Sequence, residues 1–299
     1  MHESVLLHET VGGLELRAGD IVVDGTLGRA GHSIEAFRTE PNVFIVGIDR
    51  DEDALVESKA KLEAAGAKEG ESFRLFKGNF SSMDKFLAEA GKDHANKIML
   101  DLGVSSPHLD SSGRGFSFRF DEPLLMTMEK NPGKDAFTAR DIVNGWKEED
   151  IANVIYAYGE EHYARRIAKK IVEAREIAPI ETTFALVEII KSAVPGAYKN
   201  GKTHPATKTF QALRIAVNDE LGSLRQGLAA ALESLAPGGR MAVISFHSLE
   251  DRIAKVLMKD WEKEGRGKQT TKKPIVPTDE EMERNPRSRS SKLRIFIKE

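Results

Sequence analysis

Asp101-Leu-Gly-Val-Ser-Ser-Pro107 sets an acid, two hydroxyls and a turn-forming proline directly after the apolar run Ile98-Met99-Leu100. A buried strand ending there opens into a polar notch, and open α/β sheets bind ligands outside the carboxyl ends of their strands. The notch offers hydrogen-bond acceptors, with no strong nucleophile and no cluster of metal ligands. Asp101, Ser105 and Ser106 therefore suit the holding of an amine or amide-like group at which a transfer takes place. An Asx or Ser turn capping the next helix accounts for the same residues without a ligand. The choice between the two depends on what lies upstream.

Asp24-Gly-Thr-Leu-Gly28-Arg-Ala-Gly31-His32-Ser33 follows the short apolar run Ile21-Val22-Val23 and opens a helical segment. Its glycines let a ligand approach the backbone closely. Asp49 ends a second apolar run, at a place where a carboxylate accepts both hydroxyls of a ribose. Gly25, Gly28 and Gly31 recur every third residue, so the G-x-G-x-x-G fingerprint that seats a pyrophosphate is missing. The pairing favours S-adenosylmethionine, which carries no phosphate, over a nicotinamide dinucleotide. Phe80, after a third run, either packs on an adenine or fills the core.

Successive strand ends thus bring a glycine turn, Asp49, Phe80 and Asp101 to one crevice, the order a Rossmann-like methyltransferase requires. His247 leaves a fifth strand at the same edge. It titrates near neutrality, which suits proton transfer or a grip on the acceptor base. The same stretch also reads as a helix start, with Ser248 as the cap and Asp251 as its acidic third residue. The remaining histidines show no metal-ligand spacing, and no G-x-S-x-G elbow supports a serine hydrolase.

Residues of these types need a frame, and 299 residues with 40% hydrophobic content provide one. The first third alternates strand and helix, including a helix over 53–65, which indicates βαβ units and a parallel sheet. Residues 109–207 read as helices and loops. A long helix is expected from Thr207 to Leu235, stopped by Pro237-Gly238-Gly239, with strands following at 241–246 and 293–297. The last of these is expected at an edge, antiparallel. The polar stretch Glu262 to Ser291 reads as a mobile loop. The expected architecture is α/β: a Rossmann-like, class I methyltransferase sheet with an inserted all-helical domain. Its discontinuous core spans 1–108 and 208–299, and the insertion, 109–207, is the candidate substrate-recognition domain.

Net charge is −3 and cysteine is absent, which excludes disulfides and gives no global attraction to nucleic acid. Two stretches nonetheless lack any acid, 191–218 and 284–298. Lys199, Lys202 and Lys208 in the first, with Arg287 and Arg289 in the second, are candidates for phosphate contacts; ordinary solvated loops would look the same. No apolar stretch reaches the ~20 residues needed to cross a bilayer, and the amino terminus lacks a signal-peptide pattern. A soluble cytoplasmic protein is expected.

With these blocks in place, the chain resembles the bacterial 16S ribosomal RNA cytosine-N4 methyltransferases over nearly its whole length. The resemblance is carried by Val5-Leu-Leu-His-Glu9, Gly28-Arg-Ala-Gly-His-Ser33, Asp49-Arg-Asp51, Asp101 to Pro107, Arg114-Gly-Phe-Ser-Phe-Arg119 and Tyr158-Gly-Glu-Glu161. It continues through Pro205 to Arg214, Val217 to Leu221, Ile244 to Arg252 and Asn285 to Arg294. It implies S-adenosylmethionine as cofactor, with Ala30, Gly31, His32, Asp49, Phe80, Asp101 and His108 at the cofactor positions. It also implies methylation of N4 of a cytidine in the decoding region of 16S rRNA, the small ribosomal subunit as partner and no membrane. A homodimer is left open. The chain departs from the family at Ala30, usually glycine, at His108, usually glutamine, and at Leu125 and Thr127, usually aspartate and arginine. Ala30 suits its loop if its φ is negative. A cofactor-binding RNA chaperone without catalysis would share these motifs, as would, for the sheet alone, a nucleotide-dependent oxidoreductase.

Overall fold

A computed structural model of the chain describes residues 4–103, 113–129, 133 and 135–299. Five strands of its sheet are parallel: β1 (Ile21–Asp24), β2 (Phe44–Asp49), β3 (Phe73–Lys77), β4 (Ala95–Asp101) and β5 (Leu235–Ser245). With β6 (Gly267–Gln269) and β7 (Lys292–Lys298) the order is β3-β2-β1-β4-β5-β7-β6. This is a doubly wound, Rossmann-like sheet whose order reverses between β1 and β4, the switch point at which such sheets bind ligands. Buried parallel strands read as unbroken apolar runs because helices cover both faces. Ile45, Val46, Ile48, Ile98 and Leu100 are all fully buried.

Three expectations need correction here. β7 is antiparallel as expected but does not form the edge, since β6 pairs with its outer side. Pro237-Gly238-Gly239 lies inside β5 rather than before it. The register against β4 jumps there, from Ala95 opposite Leu235 to Lys97 opposite Arg240, which is how a bulge absorbs residues that cannot join a ladder. The polar stretch after Glu262 is ordered. It carries β6, a helix over Asp279–Arg284 and a 3-10 turn over Pro286–Ser290, with Ser288 and Ser291 buried.

Helices are numbered along the chain: α1 (Leu7–Leu14), α2 (Gly31–Thr39), α3 (Glu52–Ala64), α4 (Met83–Glu89), α5 (Ala139–Gly145), α6 (Glu148–Gly159) and α7 (Ala164–Arg175). They continue with α8 (Thr183–Ala193), α9 (Gly196–Lys199), α10 (Thr207–Asn218), α11 (Glu220–Ser234), α12 (Ser248–Lys263) and α13 (Asp279–Arg284). The expected single helix from Thr207 is two. Asp219 adopts φ 45°, ends α10 and starts α11. Apolar spacing passes through the break because Val217 and Leu221 stay four residues apart. The chain separates into two compact units, Met1–Gly103 with Leu221–Glu299, and Val104–Glu220.

The second unit is built on helix faces. Ile151 and Ile155 of α6, Ile167 and Ile171 of α7, Leu186 and Ile190 of α8 and Leu213 of α10 form its core, at the spacings of amphipathic helices. Its loop around Leu125 and Thr127 is held by backbone bonds. The Arg114 guanidinium donates to Met128 O (2.8 Å), Asn218 Nδ2 to Met126 O (2.7 Å), and Met128 N–H to Asn218 Oδ1 (2.9 Å). The loop is therefore fixed with Leu125 and Thr127 in place. Among the described residues, no helix is long and apolar enough to cross a membrane.

Candidate active site at the strand ends

The described residues of the site belong to the first unit and begin with the turn after β1. Asp24 ends that strand, and its Oδ2 accepts from Ser33 Oγ at 2.6 Å. Burial pushes the Asp24 carboxyl up to about 6. The bonds from Ser33 and from the Thr26 N–H oppose the shift, and the charge of Asp49 adds to it. At Gly31 a side chain would run into Ser4 Oγ, so the amino-terminal segment closes directly on the glycine turn. Ala30 caps α2 with φ 57° and is fully buried. The condition under which alanine would suit this loop, a negative φ, is therefore not met. The turn needs the left-handed conformation there, and this chain adopts it with a methyl group present.

Asp49 ends β2. Its Oδ2 accepts the Gly28 N–H and its Oδ1 the Asp51 N–H, both at 2.8 Å. These bonds fix the carboxylate against the turn. Past β3, Phe80 opens a short 3-10 turn, half-buried, with its ring against α11 where Gly227 leaves room. Ser223 of α11 fastens this strand end by accepting from Asn79 Nδ2 (3.0 Å) and Arg50 (3.3 Å).

Asp101 ends β4. Its backbone N–H donates to Thr26 Oγ1 at 2.6 Å, which joins the notch to the β1 turn. Its side chain keeps 29% of its surface, yet Oδ1 is fully covered and has no hydrogen-bond partner among the described residues. Burial first, and then the charges of Asp24 and Glu250, hold the Asp101 carboxyl well above the usual carboxylate range.

His247 follows β5 and corrects the expected cap. It, rather than Ser248, is the N-cap of α12, and Glu250, rather than Asp251, is the acidic third residue. The Glu250 N–H donates to His247 Nδ1 (3.4 Å), while Glu250 Oε2 accepts from Phe246 N–H (2.8 Å) and His247 N–H (3.3 Å). Because Nδ1 accepts, the neutral ring carries its hydrogen on Nε2. That atom lies 3.2 Å from Glu250 Oε1 but off the line of a hydrogen bond, and is buried without a partner among the described residues. Asp251 instead binds Arg294 (2.7 Å) and Lys292 (3.3 Å). Burial alone would raise its carboxyl, but those two cations hold it below its ordinary value.

The structure thus brings Gly31, His32, Asp49, Phe80, Asp101 and His247 onto the strand ends of one unit, with Ala30 behind them in the core. Ser105, Ser106 and His108 lie outside the described residues. Of the basic candidates, Lys199 and Lys202 are exposed in the second unit, and Arg287 and Arg289 are exposed in the first. Lys208 Nζ donates to Glu160 O, at the end of α6 (2.9 Å). Asp24 and Glu250 were not among the residues singled out for the site. Asp24 had a visible signal, because it ends β1 as Asp49 and Asp101 end their strands. Glu250 had a weaker one, three residues after a histidine that seldom caps a helix.

The strand ends therefore carry Asp24, Asp49, Asp101 and Glu250, close enough for their charges to shift one another. Such a pocket disfavours a pyrophosphate and favours a cation. S-adenosylmethionine fits this donor set, with a sulfonium and an ammonium for the acids and a ribose for Asp49.

Curated relatives span the chain. A ribosomal RNA small subunit methyltransferase H of Geobacter sulfurreducens is 48% identical over 98% of this chain and 97% of its own length. Its counterpart in Deinococcus deserti is 48% identical over 98% and 92%, and that of a Paenibacillus species 43% identical over 99% of both. Among solved structures, SMU.1697c of Streptococcus mutans, in complex with SAH, aligns over 100% of both chains with 11% identity and a TM-score of 0.47. The model of the MraW methylase family matches residues 1–299, and the chain belongs to that family.

Proposed function

We propose that this protein transfers a methyl group from S-adenosylmethionine to N4 of a cytidine in the decoding region of 16S ribosomal RNA, in the cytoplasm. The observation that carries the reading is Asp101 Oδ1, covered and without a hydrogen-bond partner among the described residues at the end of β4, within a cluster of acids that suits a cationic cofactor.

Bound S-adenosylmethionine supplies an electrophilic methyl group. The chain's task is to position the acceptor, because the exocyclic amine of cytosine is a weak nucleophile whose lone pair conjugates with the ring. Asp49 orients the ribose of the cofactor, and Phe80 offers a ring face to its adenine. The Asp101 carboxylate, with Ser105 or Ser106, accepts from the amino hydrogens and turns the lone pair toward the methyl group, a gain of orientation. The cytosine must leave any stack to reach the notch. His247 Nε2–H frames the base as a donor, since its Nδ1 is engaged in the cap. Lys199, Lys202, Arg287 and Arg289 bind phosphates, and the helical unit contributes to RNA recognition.

Transfer of labelled methyl from S-adenosylmethionine into small-subunit RNA, followed by nucleoside analysis, tests the reading. Methylated N4-cytidine is expected. Cofactor binding without incorporation into any assembly state of the RNA would instead make the protein a cofactor-binding RNA chaperone.

A further inference from the structure

His32 stands in the first turn of α2 with its ring engaged on two sides. Nε2 lies 3.0 Å from Val5 O. A carbonyl only accepts, so Nε2 carries the hydrogen. Nδ1 of the neutral ring then presents its lone pair 3.8 Å from Asp101 Oδ2. The gap is too long for a hydrogen bond and too narrow for a water between them. The ring itself is 8% exposed. Its anchor is rigid because the Val5–Leu6 peptide is planar and is gripped at both ends. Its carbonyl meets His32, and its N–H donates to buried Glu281 at 2.8 Å.

A small pivot of the Asp101 carboxyl closes the distance. Among the described residues, the charges that act on Asp101 are those of acids, Asp24 at the end of β1 and Glu250 on α12, with Asp49 acting on Asp24 from β2. Such a cluster favours retention of a proton, and His32 Nδ1 is the nitrogen placed to take it.

We propose that His32 and Asp101 share one proton and titrate as a pair, which makes His32 a positioning residue that sets whether Asp101 faces its ligands as a donor or an acceptor. With the proton on Nδ1, the imidazolium donates to Val5 O and to Asp101 Oδ2, and Oδ1 is left as an anionic acceptor. Methyl transfer to an exocyclic amine releases one proton. An N–H bond breaks, an O–H bond forms on Asp101, and His32 keeps the first proton. The pair rests on the methyltransferase reading for its ligands but not for the shared proton.

Two measurements test it. In the free protein, nitrogen NMR of the imidazoles reports the tautomer and titration of His32. The Nε2–H form is expected at high pH, with a midpoint that moves in D101N. Calorimetric titration with S-adenosylhomocysteine, from about pH 5 to pH 9 in buffers of different ionisation enthalpy, counts protons exchanged on binding. H32Q keeps an amide donor for Val5 O and removes Nδ1. Its binding midpoint should rise by about one pH unit, giving about tenfold weaker binding on the acid side, with Tm close to wild type. An unchanged midpoint and proton count in H32Q, or a His32 titration indifferent to D101N, would overturn the pair. Failure of wild type to bind S-adenosylhomocysteine would strike the cofactor reading, and the NMR measurement would still decide the pair.

Discussion

Arg114, Glu161 and Asn218 are buried in the helical unit, and each is bonded to a neighbour. Arg114 and Asn218 hold a loop backbone. Glu161 accepts from Tyr198 Oη at 2.5 Å and from the Tyr163 N–H at 2.9 Å. At the strand ends of the sheet unit, Asp101 is equally covered at Oδ1 but has no partner there among the described residues. An unpaired buried acceptor costs about 1–3 kcal/mol, so it persists where a ligand completes it. The comparison divides the roles. Thr209 Oγ1 of the helical unit is likewise buried without a partner among the described residues, but the buried charged groups there, Arg114 and Glu161, maintain shape, whereas Asp101 at the strand ends is arranged for something that binds.

The largest expected effect comes from removing that acceptor. D101A should lower single-turnover methyl transfer by about a hundredfold to a thousandfold and leave a folded protein. E161A, its counterpart in the helical unit, should reduce stability and leave the chemical rate per folded molecule near wild type. A folded D101A that transfers at the wild-type rate would erase the distinction between the units.

A second test uses proton linkage. The Asp24 carboxyl is raised from 3.8 to about 6. A raised carboxyl stabilises the fold below the unfolded value, and that contribution is lost as pH rises through the folded one. The shift corresponds to about 3 kcal/mol. D24N mimics the protonated form, so its stability relative to wild type should improve by up to that amount between about pH 4 and pH 7. Denaturant unfolding at both pH values measures it. A difference independent of pH would show that Asp24 is not strained by burial.

The basic residues sharpen the comparison from the surface. Replacing Lys199, Lys202, Arg287 and Arg289 by glutamine should flatten the salt dependence of RNA binding by about 0.7–0.9 for each phosphate no longer neutralised. Lys208→Gln should act instead on stability, because its ammonium holds the end of α6. A salt slope that shifts with Lys208 and not with the other four would reverse their assignments.

What the sequence revealed, and what it hid, follows the same division. β1, β2 and β4 were legible because strands buried on both faces must be apolar without interruption, and Asp49 and Asp101 were legible because each breaks such a run. The division at Asp219 was hidden. The apolar spacing runs through it, and the Arg214–Glu220 pair that spans it (2.8 and 2.9 Å) looks like any surface charge pair. The order in 262–291 was hidden for another reason. It comes from partners far away in the chain, such as Leu6 for Glu281 and Leu293 for Ile275, and local polarity carries no trace of them. The left-handed turn at Ala30 was hidden by the alanine itself, and its one signal was the glycine usual there in the family the chain resembles.

Ala30 yields the smallest expected effect and the finest test of the strand-end turn. Its φ of 57° costs an L residue about 1–2 kcal/mol. Replacement by glycine removes that strain. It also forfeits the burial of a methyl group, about 0.8 kcal/mol, and adds unfolded-chain entropy worth about 0.4–1 kcal/mol. The terms nearly cancel, so A30G should change unfolding stability by less than about 0.8 kcal/mol. An unstrained buried alanine would lose the two unfavourable terms in full, about 1.2–1.8 kcal/mol. Urea unfolding of A30G separates the two cases. A loss of the larger size would mean that the turn holds alanine without strain, and that its left-handed form stores nothing for glycine to release.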